Sequence, residues 1–243
     1  AAVKGQYAHK FGVDVYSSNK VLQKELNSVT WAGFAGGMTV TVGTMPLKKA
    51  SAAAFYAVKG TSLTYGMNRI LLDTSPEDLQ QLNREKMVEM GVREAVIKEF
   101  LHNPAYSPRH KTILVHALAE MQGVKNREQF IKKALFAEYE EEAFLYQRMA
   151  EMLYGYHTHV KPIKELVPVR KFAVGYTSDQ TVVATFPIDL LYWTELSDLG
   201  SAALAKLDLS GRPIKKTELR FTGSLTPKAM QELSDRGLEI KEL

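Results

Sequence analysis

The chain has 243 residues, of which 45% are hydrophobic and 24% are charged, and its formal net charge is +4. This apolar content is enough to build a folded core, so a chain that is disordered throughout is excluded. The sequence contains no cysteine, which excludes disulfides, thiolate zinc sites, iron–sulfur clusters and thiol catalysis. Lysine and arginine are scattered rather than clustered, so nucleic-acid binding is not indicated.

The N-terminal region contains an uncharged stretch, residues 26–47, and is rich in Gly, Ala and Thr. The stretch is long enough to cross a bilayer, but its many small and polar residues make it a poor membrane span. The alternation Met38-Thr39-Val40-Thr41-Val42 favours a strand. Three interpretations stay open: a buried element of a water-soluble fold, which we favour, a membrane-contacting segment, and a self-associating surface.

Apolar residues recur three and four apart from about Pro76 to Tyr154, which predicts amphipathic helices. Ser75-Pro76 and Ser107-Pro108 each place a capping hydroxyl before a proline in the first turn. A further helix is predicted over Val92–His102. Asn126 with Gln129 resembles a capping box and is predicted to open the longest helix, which continues through Leu153.

The hydrophobic period changes to two in the C-terminal region. Residues 171–176 and 181–187 predict a β-hairpin, followed by a helix over about 189–207. Residues 217–223 predict a strand. Thr226-Pro227 opens a short helix that Gly237 ends, and a final strand follows it. The predicted order is β-β-α-β-α-β, a small mixed sheet.

The predicted fold class is therefore α+β, with a predominantly helical N-terminal body and a small C-terminal mixed sheet. Pro162 and Pro168 bracket a polar segment that we interpret as a linker. The predicted domains are residues 1–160, mainly helical with the Gly/Ala/Thr-rich segment at the start, and residues 168–243, the small sheet domain.

The candidate metal ligands are His157 and His159, the closest histidine pair in the chain. In an extended segment, two imidazoles two residues apart point to one side and can share a divalent metal. No further ligand lies at metal-binding spacing, so the alternative is that both histidines complement the negative end of the preceding helix. The sequence predicts no other cofactor, since it has no Walker-type or Gly-x-Gly-x-x-Gly loop.

The sequence favours a non-catalytic binding or assembly protein with an apolar contact surface in residues 26–58. Its partner would be another protein or a second copy, and membrane contact is a further alternative, supported by the basic pair Lys48-Lys49. The other function that we consider is a metal-dependent enzyme centred on the histidine pair. The start Ala1-Ala2-Val3, without Met, suits an exported or envelope protein after signal cleavage, and equally a trimmed chain. The candidate partner-binding residues are Trp31, Phe34, Val40, Val42, Tyr192 and Trp193.

Overall fold

The structure is a computed structural model that describes residues 74–242 and the helix at residues 20–35. It also describes the isolated residues 4, 7, 8, 11, 13, 15–17, 19 and 71. The predicted strand at Met38–Val42 lies outside the described residues. So do Val40, Val42 and the side chains of Trp31 and Phe34. The chain divides into two compact units, Ala1–Gln80 with Ser107–Arg109, and Gln81–Tyr106 with His110–Leu243.

The first unit contains helix α1, Lys20–Ala35. The Asn19 side-chain oxygen accepts hydrogen bonds from the backbone N–H groups of Val21 and Leu22, at 3.0 and 3.1 Å, and so caps the helix. Leu26, the first residue of the uncharged stretch, is buried. Among the described residues, no helix combines the length and the apolar content that a bilayer crossing requires.

The predicted helical region consists of five helices in the described part of the chain. They are α2 (Pro76–Glu89), α3 (Glu94–His102), α4 (Pro108–Glu120), α5 (Arg127–Ala134) and α6 (Glu140–His159). The Ser75 hydroxyl accepts the Asp78 N–H at 3.1 Å, which confirms the predicted cap of α2. In the second unit, the fully buried side chains include Phe100, Leu114, Leu118, Phe130, Met149 and Leu153.

Two predictions in this region are wrong. Asn126 adopts a left-handed conformation with φ 61° and makes no side-chain cap, so there is no capping box. The long helix is broken between α5 and α6, because partners distant in sequence hold the connecting carbonyls: the Tyr106 hydroxyl donates to Ala134 O at 2.8 Å, and the Asn103 amide donates to Ala137 O at 3.1 Å. Such contacts satisfy the carbonyls at the end of α5.

The C-terminal sheet has five strands: β1 (Ile163–Val169), β2 (Phe172–Thr177), β3 (Thr181–Phe186), β5 (Lys216–Phe221) and β7 (Leu238–Glu242). They lie side by side in the order β1-β2-β3-β5-β7, and the two short strands β4 and β6, described below, lie outside this sheet. The pairs β1–β2 and β2–β3 are antiparallel, whereas β3–β5 and β5–β7 are parallel. The fold is therefore α+β with a mixed C-terminal sheet, as predicted.

Two helices connect the parallel strands in the chain. Helix α7 (Glu195–Ala205) joins β3 to β5, and α8 (Pro227–Asp235) joins β5 to β7. Beside them, β4 (Leu190–Leu191) and β6 (Ser224–Leu225) form a separate two-stranded parallel sheet. One face of the large sheet packs into a core with residues of α7, α8 and β6, including Val182, Leu219, Leu204, Leu225 and Leu233.

The predicted linker between Pro162 and Pro168 is instead strand β1, so the predicted strand order lacked its first member. Proline is tolerated there because β1 lies at the edge of the sheet. The predicted helix at 189–207 starts later, at Glu195, because residues 190–191 form β4. The division into domains 1–160 and 168–243 stays a prediction.

Candidate interaction surface

The segment from β4 into α7 exposes four large apolar side chains. Leu190 is 44% exposed, Tyr192 61%, Leu196 75% and Leu199 42%. We call these four residues the apolar strip. Leu196 and Leu199 lie three residues apart on α7 and so share one side of the helix. Of the two candidate residues in this segment, Tyr192 is thus well exposed.

The side chains that alternate with the apolar strip point toward the sheet core and fix the segment in place. Leu191 and Trp193 are partly buried against the sheet core, and Ser201 and Leu204 form the buried side of α7. The alternation of exposed and inward residues through positions 190–193 follows from the extended backbone there. The exposed residues are therefore outward positions of an ordered segment.

A capping box fixes the start of α7. The Thr194 hydroxyl accepts the Ser197 N–H at 3.3 Å, and the Ser197 hydroxyl lies 2.7 Å from the Thr194 N–H, which donates to it. The Ser197 hydroxyl is also 3.4 Å from the Tyr192 carbonyl oxygen. These bonds hold the backbone of Tyr192 beside the first turn of α7.

Arg236, at the end of α8, ties that helix to α7 and to Trp193. Its guanidinium donates to the Asp198 carbonyl at 2.7 Å and to the Ser201 hydroxyl at 2.8 Å, and it forms an ion pair with the Asp198 carboxylate. The same group lies over the Trp193 ring, 5.0 Å from its centroid. Trp193 is thus a supporting residue under the strip rather than a fully exposed one.

Strand β4 is held in place by backbone hydrogen bonds to β6 and the residues beside it. The Ser224 N–H donates to Asp189 O at 2.9 Å, and the Thr226 N–H donates to Leu191 O at 3.0 Å. A Cβ atom at Gly223 would overlap the Asp189 carbonyl. Glycine is therefore required at position 223 for β4 and β6 to approach.

The segment that carries the apolar strip contains acidic but no basic residues, and one of the acidic residues, Asp198, is ion-paired with Arg236. Residues 188–205 contain Asp189, Glu195 and Asp198 but no lysine or arginine. The chain as a whole carries a net charge of +4, so this acidic border is a local feature.

The opposite face of the sheet carries an ionic network centred on Glu218 of β5. Its carboxylate is 2.7 Å from Lys216 Nζ and 3.2 Å from Arg220, and Lys216 also lies 3.2 Å from Glu239 of β7. Burial alone would raise the pKa of Glu218, but hydrogen bonds from Lys216 and Arg220 outweigh it and lower that pKa. This network was not predicted from the sequence, although Lys216, Glu218 and Arg220 alternate with Thr217 and Leu219 and so indicate one charged face of a strand.

The histidine pair lies on the last turn of α6, which continues through His159. Successive helical residues are rotated by about 100°, so His157 and His159 point to nearly opposite sides and not to one side as an extended segment would allow. The His157 Nδ1 accepts the Ile163 N–H at 3.0 Å. Within the described residues, no three His, Asp or Glu side chains converge to hold a metal.

A shallow cleft of about 520 Å³ lies between the end of α3 and the α5–α6 connection. Its lining includes Glu99, His102, Asn103 and Glu138. Asn103 is engaged structurally, since its amide donates to Ala137 O and its side-chain oxygen accepts the Ala105 N–H. We assign no ligand to this cleft.

Comparisons with protein-family models, with curated proteins and with solved structures found no match for this chain. The residues that sequence reasoning missed at the surface are Leu190, Leu196 and Leu199. The signal that could have indicated them is the leucine content of residues 190–204, which exceeds what one buried side of a short helix can accommodate.

Proposed function

We propose that this chain is a non-catalytic protein-binding or assembly component that contacts its partner through the apolar strip. The observation that carries this proposal is the exposure of Leu190, Tyr192, Leu196 and Leu199 within ten consecutive residues of one anchored segment. Exposed apolar residues scattered singly need no explanation, whereas a local concentration marks interaction surfaces.

The energetics support a specific contact. Burying one leucine side chain is worth roughly 1.5–3 kcal/mol, so several together can offset part of the entropic cost of association. Tyrosine is among the side chains that most often dominate the binding energy of an interface. The capping box and the Arg236 contacts order the segment before it binds, which reduces the entropy lost on binding.

The acidic border supports a protein partner that presents an apolar surface flanked by lysine or arginine. Asp189 and Glu195 would repel the anionic headgroups of a membrane, whereas the charge of Asp198 is already paired with Arg236. An amphipathic helix with basic flanks has both required properties. We therefore propose that class of partner for the apolar strip.

The surface proposed from sequence, residues 26–58, remains part of the assembly hypothesis, with an envelope location. Most of it lies outside the described residues, so the apolar strip alone supports the proposal. The metal-dependent enzyme is not proposed, because α6 turns His157 and His159 to different sides of the helix.

The first experiment places a photo-crosslinking amino acid at position 196 in the source cells. Val88 serves as the matched control, because it is also a helical apolar residue and is 55% exposed. We expect a discrete crosslinked protein from position 196 and none from position 88. The crosslinked partner is then purified, and its affinity for the chain is measured by calorimetry.

The affinity measurement compares wild type with Leu196→Lys and Val88→Lys. We expect Leu196→Lys to weaken binding by at least about tenfold, as loss of a central apolar contact should, and Val88→Lys to leave it unchanged. Equal affinities for all three proteins would overturn the proposal, as would the same adduct from both crosslinker positions.

A further inference from the structure

Strand β7 forms one edge of the five-stranded sheet, and no strand in the described part of the chain pairs with its outer side. The other edge, β1, is partly covered: the Lys125 N–H donates to Lys164 O at 2.9 Å, and the Leu166 N–H donates to Lys125 O at 3.0 Å. Strand β1 also contains Pro168. An edge of unpaired backbone groups is a template for another strand.

The sequence of β7 is Leu238-Glu239-Ile240-Lys241-Glu242, with opposite charges on either side of a central isoleucine. Glu239 and Lys241 lie on one face of the sheet and Ile240 on the other, since side chains alternate along a strand. Ile240 is partly buried against the sheet core. Strand β7 contains no proline, so no backbone N–H group is missing from its outer side.

We propose that β7 pairs with β7 of a second copy of this chain, antiparallel and about a two-fold axis at Ile240. The two five-stranded sheets would then form one continuous ten-stranded sheet. Such an interface is self-complementary, as a two-fold dimer requires, because the same patch serves on both subunits.

The charges select this register. Side chains directly opposite each other must share a face, so the axis must pass through a residue and not between two. An axis at Glu239 or at Lys241 would place two like charges directly opposite. An axis at Ile240 places Glu239 opposite Lys241 of the second copy, twice, and the two isoleucines opposite each other.

The proposed β7–β7 contact uses a different surface from the apolar strip and a different partner, a second copy of this chain. It therefore does not rest on the function proposed above. Glu239 also pairs with Lys216 of its own chain, at 3.2 Å, and its side chain stays 43% exposed. It therefore remains accessible to Lys241 of the second copy. A contact along five residues is short, so we expect a dissociation constant in about the micromolar range.

The test uses analytical ultracentrifugation of the full chain over a wide concentration range, with two single charge reversals. Glu239→Lys places Lys opposite Lys241 of the second copy, and Lys241→Glu places Glu opposite Glu239. Each variant alone should dimerise at least about tenfold more weakly than wild type. An equimolar mixture of the two should recover the dimer, because both cross-strand pairs are again opposite in charge.

Lys228→Glu, an exposed charge reversal on α8, is the control and should dimerise like wild type. A monomeric wild type at several hundred micromolar would overturn the proposal. Dimerisation that is equally strong in wild type, Glu239→Lys and Lys241→Glu would also overturn it. If Leu196→Lys abolished that dimerisation, the dimer interface would be the apolar strip instead. An edge that binds a foreign extended peptide, with no self-association, would overturn the choice of partner.

Discussion

The guanidinium of Arg220 lies over the ring of Tyr156, with its central carbon 4.8 Å from the ring centroid. This contact joins the C-terminal half of α6 to β5. Burial, and then the nearby Glu218 carboxylate, raise the pKa of Tyr156 to about 12. The ring thus stays neutral and covers an ionic network that is otherwise open at Lys216 and Glu239.

Replacing Glu218 with Gln should destabilise the protein by about 2–4 kcal/mol, because it removes the buried partner of Lys216 and Arg220. Urea unfolding measures the free energy of unfolding. Glu94→Gln is the control: that side chain is 60% exposed and pairs with Arg84 outside the network, so its loss should cost clearly less than the loss of Glu218. Equal losses in the two variants would show that the ion pairs of Glu218 contribute no more than an exposed pair.

The stability contributed by Glu218 should depend on pH. Its pKa in the folded protein is lowered, so its contribution is complete above the unfolded pKa, about 4.3. The contribution is lost as the pH falls through the lower folded value. Between pH 6 and pH 3, the difference in unfolding free energy between wild type and Glu218→Gln should therefore shrink. A constant difference across this range would contradict the lowered pKa.

Alanine at Gly223 should destabilise the protein by about 1–3 kcal/mol, because its Cβ would overlap the Asp189 carbonyl and push β4 from β6. The matched control is Gly155→Ala in the interior of α6, where a Cβ meets no atom within 4 Å. That change should stabilise the protein by about 0.5–1 kcal/mol through helix propensity. Thermal unfolding of both variants shows whether each is more or less stable than wild type. An unchanged stability in Gly223→Ala would disprove the close approach of β4 and β6.

Arg236→Gln should cost about 1–3 kcal/mol, since it removes the contacts to Asp198 and Ser201 and leaves the Trp193 ring uncovered. In a Trp31→Phe background, Trp193 is the remaining tryptophan, and its fluorescence should shift to longer wavelength. Arg84→Gln, which breaks an exposed ion pair with Glu94, should change stability by at most about 1 kcal/mol. An unshifted spectrum in Arg236→Gln would contradict the stacked geometry.

The α+β class, the hairpin, the last two helices and the final strand were predictable because local patterns determine them. The Ser75 cap and the Thr226-Pro227 start are decided by residues within one turn. Strand β1 was missed because Pro162, just before it, and Pro168, within it, locally resemble a linker, and only the edge position makes Pro168 compatible with a sheet. That position depends on partners elsewhere in the chain.

The break between α5 and α6 escaped prediction for a related reason. Its carbonyls are satisfied by Asn103 and Tyr106, which lie about thirty residues away. Of the apolar strip, only Tyr192 was among the residues predicted from sequence, and the predicted Trp193 lies beneath the strip. Periodicity shows that α7 has apolar residues on several sides, but the packed sheet decides that Leu204 is buried while Leu196 is not.

The strand order of the sheet also has a consequence for folding. Strands β1, β2 and β3 follow one another through short turns and can pair early, whereas β5 and β7 join only after helical crossovers that cost more loop-closure entropy. Since β7 follows the other four strands in the chain, its edge comes into existence only when the rest of the sheet is already synthesised. Until β7 has been synthesised, β5 presents the open edge on that side of the sheet. In the monomer, amide hydrogens should therefore exchange fastest in β7, the edge strand that joins last, and slowest in β3, at the centre of the sheet.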